Sequence, residues 1–139
     1  MVLETAALCL AFTIYFEARS DTVKSRTAIA EVVMDRANND QKNICKVVYK
    51  KHAFGWVESN NKNSNYYLRK VNSHKGPKNK LAWEESKKLA ETVIRGKYKR
   101  ALPRKANHFY NPKIDPRPKW ATNNRYVATI ESHKYYFIK

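Results

Sequence analysis

The stretch LETAALCLAFTIYFEAR, residues 3–19, decides how the rest of the chain is read. Leu3, Ala6, Ala7, Leu10, Ala11 and Ile14 recur at helical spacing, which predicts a helix over about residues 3–17. Glu17 stands seven residues beyond Leu10 and three beyond Ile14, so it falls on the side of the apolar stripe, near the helix end. A carboxylate on an apolar face costs free energy unless something satisfies it. Glu17 is therefore a candidate for chemistry; the plain alternative is a partly exposed glutamate at a frayed helix end. The run AALCLAFTIYF has the look of the apolar core of a secretory signal, but Glu4 precedes it and no basic segment does. Glu17 and Arg19 interrupt it too soon for it to span a bilayer. It reads as the first core helix, and no signal peptide is evident.

Downstream, Ser20 or Asp21 is placed to cap a second helix over about 22–38, with Ala28, Ile29, Val32, Val33 and Ala37 as its stripe. Glu31 lies inside that run, roughly 200° around the helix from Ile29 at about 100° per residue, so it need not face the core. Asp35 is its i+4 neighbour, a mildly unfavourable pairing of like charges that hints at another role for Glu31. A polar turn, NNDQKNIC, leads to ICKVVY, which suits either a helical turn or a strand, and then to AFGWV. ESNNKNSN, residues 58–65, reads as a loop. A third helix is expected over about 79–95, with Asn79 as a possible cap, Ala82, Trp83, Leu89, Ala90, Val93 and Ile94 inward, and Gly96 as its stop. Pro112, Pro116 and Pro118 exclude a regular helix after it, and this irregular region holds His108, Phe109, Tyr110 and Trp120. The last residues suit a strand or short helix packing Ile130, Tyr136 and Phe137 inward.

Composition bounds the function. The 139 residues suit one domain, residues 1–139, and a 42% hydrophobic content argues against disorder. Lys and Arg number 28 against 12 Asp and Glu, a net charge of +16 that favours a polyanionic partner: nucleic acid, an anionic membrane surface or a cell-wall polymer. No zinc-finger, RNP or GxxG signature supports specific nucleic-acid binding. No HExxH, GxSxG or phosphate loop is present, and the four histidines do not cluster, so neither a metal nor another cofactor is expected. Cys9 and Cys45 are either one disulfide or two thiols; Cys9, set in an apolar helical run, reads first as a buried thiol.

The blocks TIYFEAR (13–19), AIAEVVMDRA (28–37), ICKVVY (44–49) and AFGW (53–56) together resemble the SleB/CwlJ-type cell wall hydrolases, spore-cortex-lytic and phage lytic enzymes. Later blocks agree: Ala106 to Asn111 followed by Pro118, Lys119, Trp120 and Ala121, then Ser132 to Tyr136. The resemblance runs from about residue 9 to 137. The chain departs from it at Ser25 and Arg26, where Gly-Gln is usual, at Asp35 for Asn and at Gly55 for Ser. The resemblance implies a mainly α, lysozyme-like single domain with an irregular, aromatic-rich C-terminal part. It implies cleavage of the peptidoglycan glycan strand between N-acetylmuramic acid and N-acetylglucosamine, with Glu17 as general acid and base. Glu31 is the candidate second carboxylate. Tyr15, Arg19, Phe54, Trp56, His108, Tyr110, Trp120 and His133 are the candidate substrate-binding residues, with Phe54 and Trp56 equally suited to the core.

Two routes follow from one or two carboxylates. Hydrolysis by a muramidase uses a pair. A lytic transglycosylase needs one, because the muramic 6-hydroxyl attacks intramolecularly, and this route is preferred here. The expected partners are peptidoglycan and the anionic envelope, met by a monomer. The expected setting is that of a phage endolysin that crosses the membrane through a separately made lesion, or of a virion-borne lysin. A basic nucleic-acid-binding module is the rival class.

Overall fold

The computed structural model describes the backbone from Val2 and the side chains from Thr5 onward to Lys139; the side chains of Leu3 and Glu4 lie outside the described residues. The domain is mainly helical, with an irregular C-terminal region rich in strands and aromatics. The first helix, α1 (Val2–Ala18), is apolar on nearly every side, and such a helix belongs at the centre of a fold. Cys9, Leu10, Ala11, Phe12, Thr13, Ile14 and Tyr15 are all fully buried, so burial goes beyond the single stripe expected. Helices α2 (Val23–Arg36), α3 (Ile44–Val48), α4 (Ser64–Ser73) and α5 (Pro77–Ile94) pack around it. No helix among the described residues is long and apolar enough to cross a membrane.

Local chemistry sets the helix ends, partly not as expected. Thr22, rather than Ser20 or Asp21, caps α2: its hydroxyl accepts the Ser25 N–H at 3.2 Å. The same Thr22 donates its own N–H and O–H to the Glu131 carboxylate, at 2.8 and 2.7 Å, tying the helix to the C-terminal hairpin. The expected cap Asn79 lies inside α5, which starts two residues earlier with Pro77 after Gly76. Gly96 stops α5 in the left-handed region, φ +71°, as expected. Residues 64 and 65, expected in a loop, begin α4, where the Asn63 side chain accepts the N–H groups of Asn65 and Tyr66. ICKVVY forms the short α3 and its end.

Cys9 and Cys45 form a disulfide between α1 and α3, with Cα atoms 5.4 Å apart, so Cys9 is not a buried thiol. The C-terminal part is a three-stranded antiparallel sheet in the order β1-β3-β2, from β1 (His108–Tyr110), β2 (Tyr126–Ile130) and β3 (His133–Tyr136). Strands β2 and β3 form a hairpin whose turn holds Glu131 at φ +50°. Its inner side meets Ala28, Ile29 and Val32 of α2, so this helix is covered on one side by the helical core and on the other by the sheet.

Candidate active site

Glu17 occupies the last turn of α1, and Arg26 holds that turn in place. The Arg26 guanidinium donates to the carbonyls of Ala18 (3.2 Å) and Arg19 (2.6 Å) and pairs with Glu85 at 3.1 Å. Carbonyls at a helix C-terminus lack partners within the helix, and a cation there also suits the dipole. The end of α1 is thus a rigid platform. It opens on a cleft of about 340 Å³ whose walls come from five segments: Phe16 and Glu17 of α1, Arg36 of α2, the 53–56 loop, Phe109, Tyr110, Asn111, Ile114 and Asp115 of the region around β1, and His133 of β3.

The Glu17 carboxyl is half-buried, and among the described residues no hydrogen bond reaches it. Burial pushes its pKa up from the usual carboxylate range to about 7; the Arg36 cation pulls against this and the Asp115 charge adds to it. Arg19, the sequence neighbour, plays no part.

Aromatic rings form one wall. Trp56 stacks on Phe16 with ring centres 5.1 Å apart, and its buried indole N–H has no partner among the described residues. Phe54 is buried beneath the Arg36 guanidinium, 4.8 Å from ring centre to Cζ. Arg36 is itself fixed by donating to the carbonyls of Asn107 (2.6 Å) and Ala53 (3.3 Å). His133, nearly fully buried, lines the opposite side with Nδ1 3.7 Å from the Asp21 carboxylate. Burial holds its imidazole pKa below the ordinary value, against the pull of Asp21 and Glu131. Asp21 in turn accepts from the Ser25 hydroxyl at 2.9 Å.

The structure thus gathers Glu17, Phe54, Trp56, Tyr110 and His133 of the expected residues at one cleft. His108 and Trp120, with ring centres 4.9 Å apart, line an adjoining hollow instead. Tyr15 and Arg19 are not at the cleft. Tyr15 is fully buried beside Trp83, and its hydroxyl and the Arg19 guanidinium both bond to His74. One residue of separation along α1 turns Phe16 toward the cleft and Tyr15 away from it.

Glu31 is elsewhere too. It is 1% exposed, and its carboxylate accepts the N–H of Leu102 at 2.9 Å and of Ala101 at 3.2 Å, with Arg100 at 3.8 Å. Burial raises its pKa and those partners lower it. It lines neither cavity. The acid that does share the cleft with Glu17 is Asp115, which sequence reasoning missed, as it missed the place of Arg36 in the same cleft and of Asp21 beside His133. The Asp115 loop carries no periodicity to read. Arg36 and Asp21 did have a signal, since both stand in or beside the blocks of the resemblance.

The model of the cell wall hydrolase family matches residues 20–136, most of the chain, beginning three residues after Glu17. No curated protein and no solved structure matches the chain. A match over so much of the sequence, with the second, third and later blocks all inside it, shows that the chain belongs to the cell wall hydrolase family.

Proposed function

We propose that this protein cleaves the glycan strand of peptidoglycan between N-acetylmuramic acid and N-acetylglucosamine, with Glu17 as the general acid and then the base. The observation that carries the reading is a carboxyl with a pKa of about 7, unpaired among the described residues and half-buried in an aromatic-walled cleft. Such a group is protonated in a large fraction of molecules near neutral pH, and can deliver its proton to a departing sugar oxygen. Once the proton has left, Arg36 stabilises the glutamate anion. That anion then takes the proton of the muramic 6-hydroxyl as its oxygen bonds to C1, closing a 1,6-anhydro ring. The nucleophile is tethered, so no residue has to position water.

The cleft volume lies at the small end for ligand sites, enough to grip one or two sugar rings about the scissile bond. Phe16, Trp56 and Tyr110 offer rings, and Asn111 a hydrogen-bonding side chain. The net charge of +16 would hold the enzyme on the anionic bacterial envelope, and the proposed setting is wall breakdown during phage-type lysis.

Asp115 supports a second reading. It lines the same cleft, and a second acid in the cleft is what a hydrolytic muramidase needs to activate water. The test is mass spectrometry of fragments released from purified peptidoglycan in oxygen-18 water. The first reading expects 1,6-anhydromuramic ends without label. Labelled reducing muramic ends would overturn it in favour of hydrolysis. Cleavage confined to the peptide would overturn both.

A further inference from the structure

The Glu17 cleft does not end at Arg36. Arg36, Ala53 and Phe109 also line a second hollow of about 880 Å³, so the two cavities meet along a shared wall. Their charge differs. The cleft sets Glu17 and Asp115 against Arg36 and contains no lysine. The hollow adds Lys50, Lys51, Lys105 and Lys139 to Arg36, against the single acid Asp35. Asp35 is already engaged, accepting the Ala106 N–H at 3.1 Å. Among the described residues, Lys50, Lys51 and Lys105 form no ion pair. Like charges gathered around one hollow repel one another, and an anion placed between them relieves that repulsion.

We propose that this hollow binds the acidic peptide stem of the muramic residue whose glycosidic bond lies at Glu17, through carboxylates of the stem on Lys50, Lys51 and Lys105. The inference rests on the glycan-cleaving reading. Its warrant is adjacency: the anion must be carried within about one sugar's reach of the bond being cut. The lactyl group of muramic acid places a carboxylate-bearing peptide there at each cleavable bond. A phosphate polymer joined to the wall at scattered sugars does not supply an anion at each site. Lysines suit this ligand, since a flexible peptide presents its carboxylates in varied geometry and a mobile point charge follows them better than a rigid fork. Arg36 then marks the boundary, one face toward the sugar and the other toward the stem.

The experiment measures binding by the full-length Glu17→Gln protein, which separates recognition from cleavage. Three probes are used: soluble glycan strands with intact stems, the same strands with stem carboxylates amidated, and strands stripped of stems by an amidase. The expected result is about tenfold tighter binding of the intact strands at physiological salt, three partly exposed ion pairs each adding a factor of two or so. Adding Lys50→Gln, Lys51→Gln and Lys105→Gln should bring that ratio close to one. A control with the same charge removed at Lys78, Lys88 and Lys99, all exposed and outside both cavities, should keep it.

Equal binding of the three probes by the parent would overturn the proposal. So would equal loss in the control, which would assign the preference to the overall field. Stem-independent binding together with tight binding of free poly(glycerol phosphate) would overturn it in favour of a phosphate polymer. Digestion of the same strands by the unmodified enzyme, read by mass spectrometry, reports separately on whether the sugar bond is cut. A failure there leaves the binding ratio to stand or fall by itself.

Discussion

Glu17 and Glu31 sit on adjoining helices, and burial raises the pKa of both, yet their surroundings differ in what they offer an anion. Around Glu31 the chain between Tyr98 and Leu102 closes over the carboxylate and gives it two backbone N–H groups and a nearby guanidinium. Around Glu17 the walls are rings, with no donor bound to the carboxylate among the described residues and a second acid in the same cleft. The first arrangement uses a carboxylate to anchor a loop that has little regular structure of its own. The second keeps a carboxyl's proton available. Burial alone does not separate structural from reactive acids; the hydrogen bonds that accompany it do.

The sharpest way to break this contrast is to remove each acid in turn. Glu17→Gln should lower glycan cleavage by roughly 10²–10⁴-fold, the usual contribution of a general acid, in a protein that still folds. Lysis within a fewfold of the parent would remove Glu17 from the chemistry.

The next effect falls on stability. Glu31→Ala leaves the Ala101 and Leu102 N–H groups without their acceptor and should cost about 2–4 kcal/mol in denaturant unfolding. Product ends should stay the same, and activity per folded molecule should be largely kept. A stable Glu31→Ala protein with no activity would make Glu31 a catalytic partner after all.

A subtler effect concerns how stability varies with pH. The folded-state pKa of Glu17 lies above its unfolded value of 4.5, so the folded protein binds more protons in between. Its contribution to stability is therefore present below pH 4.5 and lost as pH rises to about 7 and beyond. Glu17→Gln removes that loss. Relative to the parent, the variant should gain stability steadily from about pH 4.5 to 7 and hold a constant advantage above. A pH-independent difference between the two would mean that the carboxyl is not desolvated.

The smallest effect is expected at Asp115. Asp115→Asn removes a charge that raises the Glu17 pKa, so the alkaline limb of the activity profile should move to lower pH. Activity at the optimum should fall only a fewfold if Glu17 works alone. A loss beyond about a hundredfold would instead make Asp115 the water-activating carboxylate of a hydrolase.

Much of this molecule was legible as a string, for identifiable reasons. Helices α1, α2 and α5 are long enough for apolar periodicity to show, and Glu17 followed from its phase on the first. Short elements were less legible. Helix α4 has only Tyr67 and Val71 as fully buried contacts, one turn apart, behind a cap whose asparagine reads equally well as loop. Strand β1 is three residues long and exists because β3 pairs with it, His108 opposite Tyr136. The angular argument for Glu31 failed because it assumed one buried side, whereas α2 is covered on two.

The sequence by itself determined the family, the mainly helical class and the place of Glu17 at the end of a core helix. These depend on residue order and on a 3.6-residue period, both properties of the chain read locally. Only the tertiary structure decided that Cys9 meets Cys45, that Tyr15 turns away while Trp56 and His133 turn in, and that Asp115 rather than Glu31 shares the cleft. Each of those facts is a contact between segments 36 to 116 residues apart. Such contacts arise from how elements pack, which a local pattern of side chains does not encode.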